Sequence, residues 1–188
     1  MRTTFFILQI MFIITIGVIY PNAPHESPIE ITEINEEPNI IRPVIRPKTV
    51  EDVYCLAEAV YWESRNQPIA GMQAVGNVIY NRKISPKFPN TLCGVVHQGP
   101  MDGSPIRRNK CQFSYYCDGK SDIPAQNGNI TEQRSWENAM QIAHKIVYTD
   151  HHDNTYGSTY YHAAYVTPNW AAQFVKRAKV GAHLFYKP

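Results

Sequence analysis

The chain has 188 residues, a formal net charge of +2 and 44% hydrophobic residues, enough for one domain of ordinary size with a short appendage. The small, dispersed charge excludes a nucleic-acid surface, and no glycine-rich phosphate loop or internal repeat is present. With 12 Tyr, 7 Phe and 3 Trp, aromatic rings are plentiful enough both to fill a core and to line a groove.

Residues 5–20 are almost wholly apolar and follow Arg2, the only early charge. The run is short of the roughly 20 residues that cross a bilayer comfortably and near signal-peptide length. Pro21-Asn22-Ala23-Pro24 offers no clear small-x-small cleavage site, so residues 1–20 read either as a signal peptide or as a signal anchor that attaches the chain to a membrane. Both imply export to the periplasm or cell envelope. Residues 21–48 hold six prolines and five glutamates. They read as an extended tether or an inert spacer, because such a composition cannot build a packed core.

The catalytic domain is expected over 49–188. Thr49 and Asp52 resemble a capping box, and Val53, Leu56 and Val60 recur at helical spacing. Glu63 falls on the edge of that apolar stripe beside Trp62, whereas Glu51 and Glu58 point to the far side. A carboxyl group there is poorly solvated, and desolvation raises its pKa. It could then donate a proton to a glycosidic oxygen. After Asn66–Pro68, a second helix is marked by Met72, Val75 and Ile79, with Gly71 and Gly76 allowing a neighbouring backbone to approach. Residues 91–130 read as irregular. A third helix is expected from about Thr131 to Tyr148, with Trp136, Met140, Ala143 and Val147 inward. Thr155 to Tyr165 alternates as a strand does, a short helix near Asn169 carries Trp170, and Gly181–Tyr186 closes the chain. The fold class is therefore α+β, mainly helical, with a small β region.

Four cysteines fit an oxidising compartment. One disulfide is expected among Cys93, Cys111 and Cys117, with Cys55 a buried free thiol. His151-His152-Asp153 follows a helix end and precedes Asn154 and Gly157, so it reads as a solvated turn rather than a metal motif. His162, among Tyr160, Tyr161 and Tyr165, either faces a groove or packs.

The stretch LAEAVYWESRNQPIAGMQAVGNVIYNR resembles the signature of the spore cortex-lytic (SleB-type) cell-wall hydrolases, a Tyr-x-Glu-x-Arg element followed by Gly-x-x-Ala-Val-x-x-Val-Ile-x-Asn-Arg. The resemblance continues through FPNTLCGVVHQ (88–98), CQFSYYCDG (111–119), TYYHAAYVTPNW (159–170) and VGAHLFY (180–186). It implies a lysozyme-like single catalytic domain that cuts the MurNAc–GlcNAc glycan strands of peptidoglycan with one catalytic Glu, matched by Glu63. No cofactor and no metal are implied. Gln112, Phe113 and Ser114 match the family's Gln-Phe-Ser element, expected to bind substrate. Tyr160, Tyr161 and His162 match its Thr-His-Tyr-His element with Tyr160 in place of the first His, and Trp170 is expected in the same groove.

A single Glu suits lytic transglycosylation, in which the muramic C6 hydroxyl replaces water and leaves a 1,6-anhydro end. A hydrolytic muramidase or glucosaminidase would need a second carboxylate. Asp118, beside the Gln-Phe-Ser element, is the best candidate for it, although Asp118-Gly119 reads more readily as a turn. Two rivals from other classes are a zinc-dependent peptidase or amidase using His144, His151, His152 or His162, and a wall-binding module that keeps the aromatic groove without needing Glu63.

Overall fold

The computed structural model describes residues 47–100, 104–124 and 129–188. The apolar N-terminal segment and nearly all of the expected tether lie outside the described residues. Among the described residues, no helix is long and apolar enough to cross a membrane.

Helix α1 (Val50–Ser64) is the centre of the fold. Its capping box is formed: the Thr49 hydroxyl accepts the Asp52 amide at 3.1 Å, and the Asp52 carboxylate accepts the Thr49 amide at 3.1 Å. Three helices surround it: α2 (Ile69–Ile84), the short α3 (Leu92–Val96) and α4 (Ile130–Tyr148). Asn129 caps α4 by accepting the amides of Thr131 and Glu132. Together the helices enclose a core that includes Leu56, Val60, Tyr61, Met72, Val75, Ile79, Val95, Phe113, Ala143 and Ile146.

Helix α2 is buried on two sides. Met72, Val75 and Ile79 face the helical core, while Ala74 and Val78 pack with Phe185 beneath a small sheet. A helix apolar around most of its girth is one packed from several directions. At Gly76 an added Cβ would stand 2.7 Å from Ile146 Cδ1 and 3.2 Å from Val60 Cγ2, so the glycine lets α4 and α1 close on α2. A Cβ added at Gly76 or Gly71 would meet side chains first, while the backbone at Gly181 does come close to Gly71, whose Cα would stand 3.8 Å from a Cβ added at Gly181.

The sheet has three antiparallel strands in the order β1 (Tyr160–Ala163), β3 (His183–Lys187), β2 (Val175–Val180). It is larger than the sequence suggests, and its first strand is shorter. Thr155–Ser158 forms a turn in which Tyr156 and Gly157 have φ of 54° and 76°, so the alternation over 155–159 is not that of a strand. Strand β2 escapes a periodicity reading because it lies at the sheet edge and most of it is exposed. Its Lys176, Arg177 and Lys179 are the kind of residue that keeps an edge from pairing with other chains.

Two disulfides form, which corrects the reading of Cys55. Cys55 pairs with Cys93 and ties α1 to α3, while Cys111 pairs with Cys117. Reading 91–130 as irregular missed α3, the helix that carries Cys93 to Cys55. Glu58 is a second correction: because α1 is enclosed, it is buried rather than outward, 3.8 Å from His97 Nε2.

Candidate active site

A cleft of about 390 Å³ opens between the C-terminal end of α1, the end of α2, the Cys111–Cys117 loop and β1, lined by Glu63, Arg82, Gln112, Phe113, Tyr160, Tyr161 and Trp170. The pieces come from distant parts of the chain. Glu63 sits one residue before the end of α1, where the helix stops beneath Asn66–Pro68. Gln112 and Phe113 are held by the Cys111–Cys117 disulfide, and the Gln112 amide donates to the Gln98 carbonyl at 3.0 Å. Phe113 is buried and anchors this loop in the helical core. Tyr160 and Tyr161 begin β1, and Trp170 opens the short 3-10 helix Asn169–Gln173.

Glu63 is the only carboxylate among the described residues that line the cleft. Burial pushes its pKa above the ordinary value of 4.5, opposed by a hydrogen bond from Tyr161 and by the charge of Arg82. Tyr161 donates its hydroxyl to Glu63 Oε2 at 3.0 Å. Burial first, then the Glu63 charge, hold that phenol protonated well above its ordinary range. The other Glu63 oxygen makes no hydrogen bond to a described residue. The arrangement fixes one oxygen and leaves the other available at the cleft.

The aromatic residues form a continuous wall. The Tyr160 ring lies 5.6 Å from Trp170 and 4.8 Å from Phe174, and Trp170 lies 5.5 Å from Phe174. His162 does not line the cleft. It is buried behind this wall, with Nε2 3.0 Å from the Tyr186 hydroxyl, Nδ1 3.0 Å from the Ala163 carbonyl, and its ring edge-on to Trp170. Ser114 is exposed and also stands outside the lining.

Trp62, expected beside Glu63, turns the other way. It donates its indole N–H to the Asp122 carbonyl at 3.1 Å and lines a separate depression with Arg65, Tyr115 and Asp118. Asp118 itself caps the turn by accepting the Lys120 amide at 2.8 Å. The histidines weighed as zinc ligands pack on different rings: His144 on Tyr148, His151 on Tyr80 and His162 on Tyr186. No cluster of three or more His, Cys, Asp or Glu among the described residues is placed to hold a metal ion.

Arg82 is the residue that sequence reasoning left without a role. It is 6% exposed yet reaches the cleft. Its signal was present: it follows Ile79 by three positions on the buried side of α2, and it ends the Asn-Arg pair of the motif.

Residues 66–186 match the Cell Wall Hydrolase family. The chain belongs to that family. The matched segment begins just past Glu63 and contains the rest of the cleft lining. Over 47 residues the chain is 49% identical to the spore cortex-lytic enzyme of Bacillus cereus and 47% identical to that of Bacillus subtilis. Each of these matches takes in 25% of this chain, but only 18% and 15% of the respective relative, so the chain spans a minor part of the length of the curated relatives it matches. The cell wall hydrolase fold extends much further. The crystal structure of the catalytic domain of the Bacillus cereus SleB protein superposes with a TM-score of 0.50 at 29% identity, covering 75% of this chain and 93% of that domain. The catalytic domain of the germination-specific lytic transglycosylase SleB from Bacillus anthracis gives a TM-score of 0.50 at 30% identity, covering 74% and 96%.

Proposed function

We propose that this cell wall hydrolase cleaves the glycan strands of peptidoglycan by lytic transglycosylation, with Glu63 acting in turn as general acid and general base. The observation that carries this reading is the desolvated Glu63, the one carboxylate among the described residues that line the cleft. In the first step the Glu63 proton passes to the glycosidic oxygen and the bond from the muramic C1 to that oxygen breaks. In the second, the C6 hydroxyl of the same muramic residue attacks C1 and its proton returns to Glu63. The product ends in a 1,6-anhydro ring, no water enters, and the enzyme is left as it began.

A raised pKa suits the first step, because it keeps a fraction of Glu63 protonated where an ordinary carboxyl would be ionised. Tyr161 suits the second, since its hydroxyl steadies the carboxylate formed when the proton leaves. Gln112 offers an amide for the sugar's polar groups, and Tyr160 and Trp170 offer faces for its rings. Kinship to a protein described as a germination-specific lytic transglycosylase supports the same chemistry. The two disulfides agree with work outside the cytosol.

Mass spectrometry of the fragments released from purified peptidoglycan tests the reading. Muropeptides lighter by one water than the reducing forms are expected. Reducing ends as the main product would replace transglycosylation by hydrolysis and require a carboxylate outside the described cleft lining to activate water. Binding to walls without release of fragments would identify a wall-binding module.

A further inference from the structure

Arg82 occupies an unusual position for a cation. Its side chain is buried, and its guanidinium carbon lies 5.2 Å from the Phe88 ring centre and 5.6 Å from those of Phe113 and Tyr160. Aromatic faces on several sides replace its water. Among the described residues only Nε has an acceptor, the Thr159 carbonyl at 2.7 Å. The two Nη nitrogens make no hydrogen bond to a described residue, and they are not among the buried polar atoms sealed off without a partner. Nor does Arg82 form an ion pair within 4 Å among the described residues.

The nearby acid forms no ion pair with it among the described residues. Glu63 and Arg82 feel each other electrostatically, while burial raises the Glu63 pKa. Arg remains charged even where burial lowers its pKa. The cleft therefore holds a fixed positive charge whose two Nη groups have no hydrogen-bonded or ion-paired partner among the described residues.

Resting on the reading of this cleft as a glycan-strand site, we propose that the Nη edge of Arg82 receives a carboxylate of the substrate, the free lactyl carboxylate of a muramic residue, so that the cleft favours strands whose lactyl group there carries no peptide. A planar guanidinium with two parallel donors matches a carboxylate bidentately, which an amide carbonyl cannot reproduce. The Phe88, Phe113 and Tyr160 rings hold the plane in place before substrate arrives. Holding the Thr159 carbonyl at the entry to β1 needs Nε alone, and leaves the outer edge for a ligand.

The experiment uses the full chain and two substrates made from one preparation. Glycan strands are stripped of stem peptides so that their lactyl carboxylates are free, and half are converted to lactyl methyl amides with carbodiimide and methylamine. Conversion to the amide is expected to lower kcat/KM about tenfold or more, the scale of a lost charge-assisted pair. In folded Arg82→Lys, which keeps the charge but not the fork, the ratio between the two substrates should fall toward one. Equal rates for the two strands with wild-type protein overturn the carboxylate receptor while leaving glycan cleavage standing. A preference for the free carboxylate that persists unchanged in folded Arg82→Lys overturns it as well. Cleavage of neither strand by protein that still cuts purified peptidoglycan overturns the receptor alone, and failure on purified peptidoglycan as well overturns the glycan-strand reading. The wild-type comparison decides the matter even where the Lys variant does not fold.

Discussion

Two carboxylates, at the end of α1 and in the loop after α4, show how the same group is given opposite characters. Among the described residues Glu63 receives one hydrogen bond, from Tyr161, and burial raises its pKa despite that bond and the charge of Arg82. Asp153 is also desolvated, which alone would raise its pKa. It nevertheless accepts from Thr155 Oγ1 at 2.6 Å, Gly157 N at 2.7 Å, Thr155 N at 2.8 Å and Asn81 Nδ2 at 2.9 Å. Those donors outweigh burial and hold it below its ordinary value of 3.8. A carboxylate surrounded by donors is held as an anion and pins a turn; one deeply buried with few donors has its pKa raised. Deeper burial and fewer donors act together at Glu63, whereas four donors outweigh a shallower burial at Asp153.

The comparison breaks most visibly at Glu63. Glu63→Gln keeps size and most packing but supplies no proton, so folding should survive while cleavage falls by about 10⁴-fold or more, the top of the range for one acid–base group. Fragment release from walls, alongside circular dichroism of the variant, measures this. A folded Gln variant that cuts at near wild-type rate would falsify the assignment of the acid.

At Asp153 the expected loss is of stability. Asp153→Asn retains one acceptor oxygen but sets an amide against donors, so unfolding in urea should show a loss of about 2 kcal/mol or more. Activity per folded molecule should change little. A stability within error of wild type would mean that the turn over 153–157 holds without its anion.

Tyr161→Phe sharpens the difference further by removing the one donor that Glu63 has among the described residues. The Glu63 pKa should then rise again, moving the alkaline limb of the kcat/KM pH profile upward, with the maximum rate lower by about tenfold as one stabilising hydrogen bond to the carboxylate is lost. An unmoved limb would show that the phenol does not bear on the acid.

The smallest effect is on pH-dependent stability, and its sign differs between the two sites. A carboxyl raised in the folded state is penalised progressively as pH climbs from its ordinary 4.5 toward the folded value. Glu63→Gln should therefore melt slightly higher than wild type near neutral pH, with the difference vanishing under acid conditions. Asp153, lowered in the folded state, contributes stability above its ordinary 3.8 and loses it as pH falls through its folded pKa. Melting temperatures of wild type and both variants across an acid-to-neutral series read the two signs directly.

Much of this was open to inspection in the chain itself. Helical periodicity and the Thr49–Asp52 box placed α1, its spacing put Glu63 at the edge of the buried stripe, and the ordered motifs pointed to the family. These are local signals, since caps and periods are set by residues three or four apart. Other features depended on which distant segments meet. Cys55 finds Cys93 only because α3 lies across α1. Glu58 is buried because α1 is enclosed from several directions, where a single apolar stripe would have left it outside. Strand β2 is legible only as the partner of β3, for an exposed, basic edge strand lacks the alternation that burial of one face imposes. Arg82 reads locally as an ordinary basic residue ending a helix, where it would complement the helix dipole. Only the convergence of Phe88, Phe113, Tyr160 and the Thr159 carbonyl turns it inward to the cleft. The sequence by itself determined the helix that presents the acid; the charge and the rings opposite it were decided by tertiary contacts, because a side chain's partners from 30 or 80 residues away leave no period in its own neighbourhood.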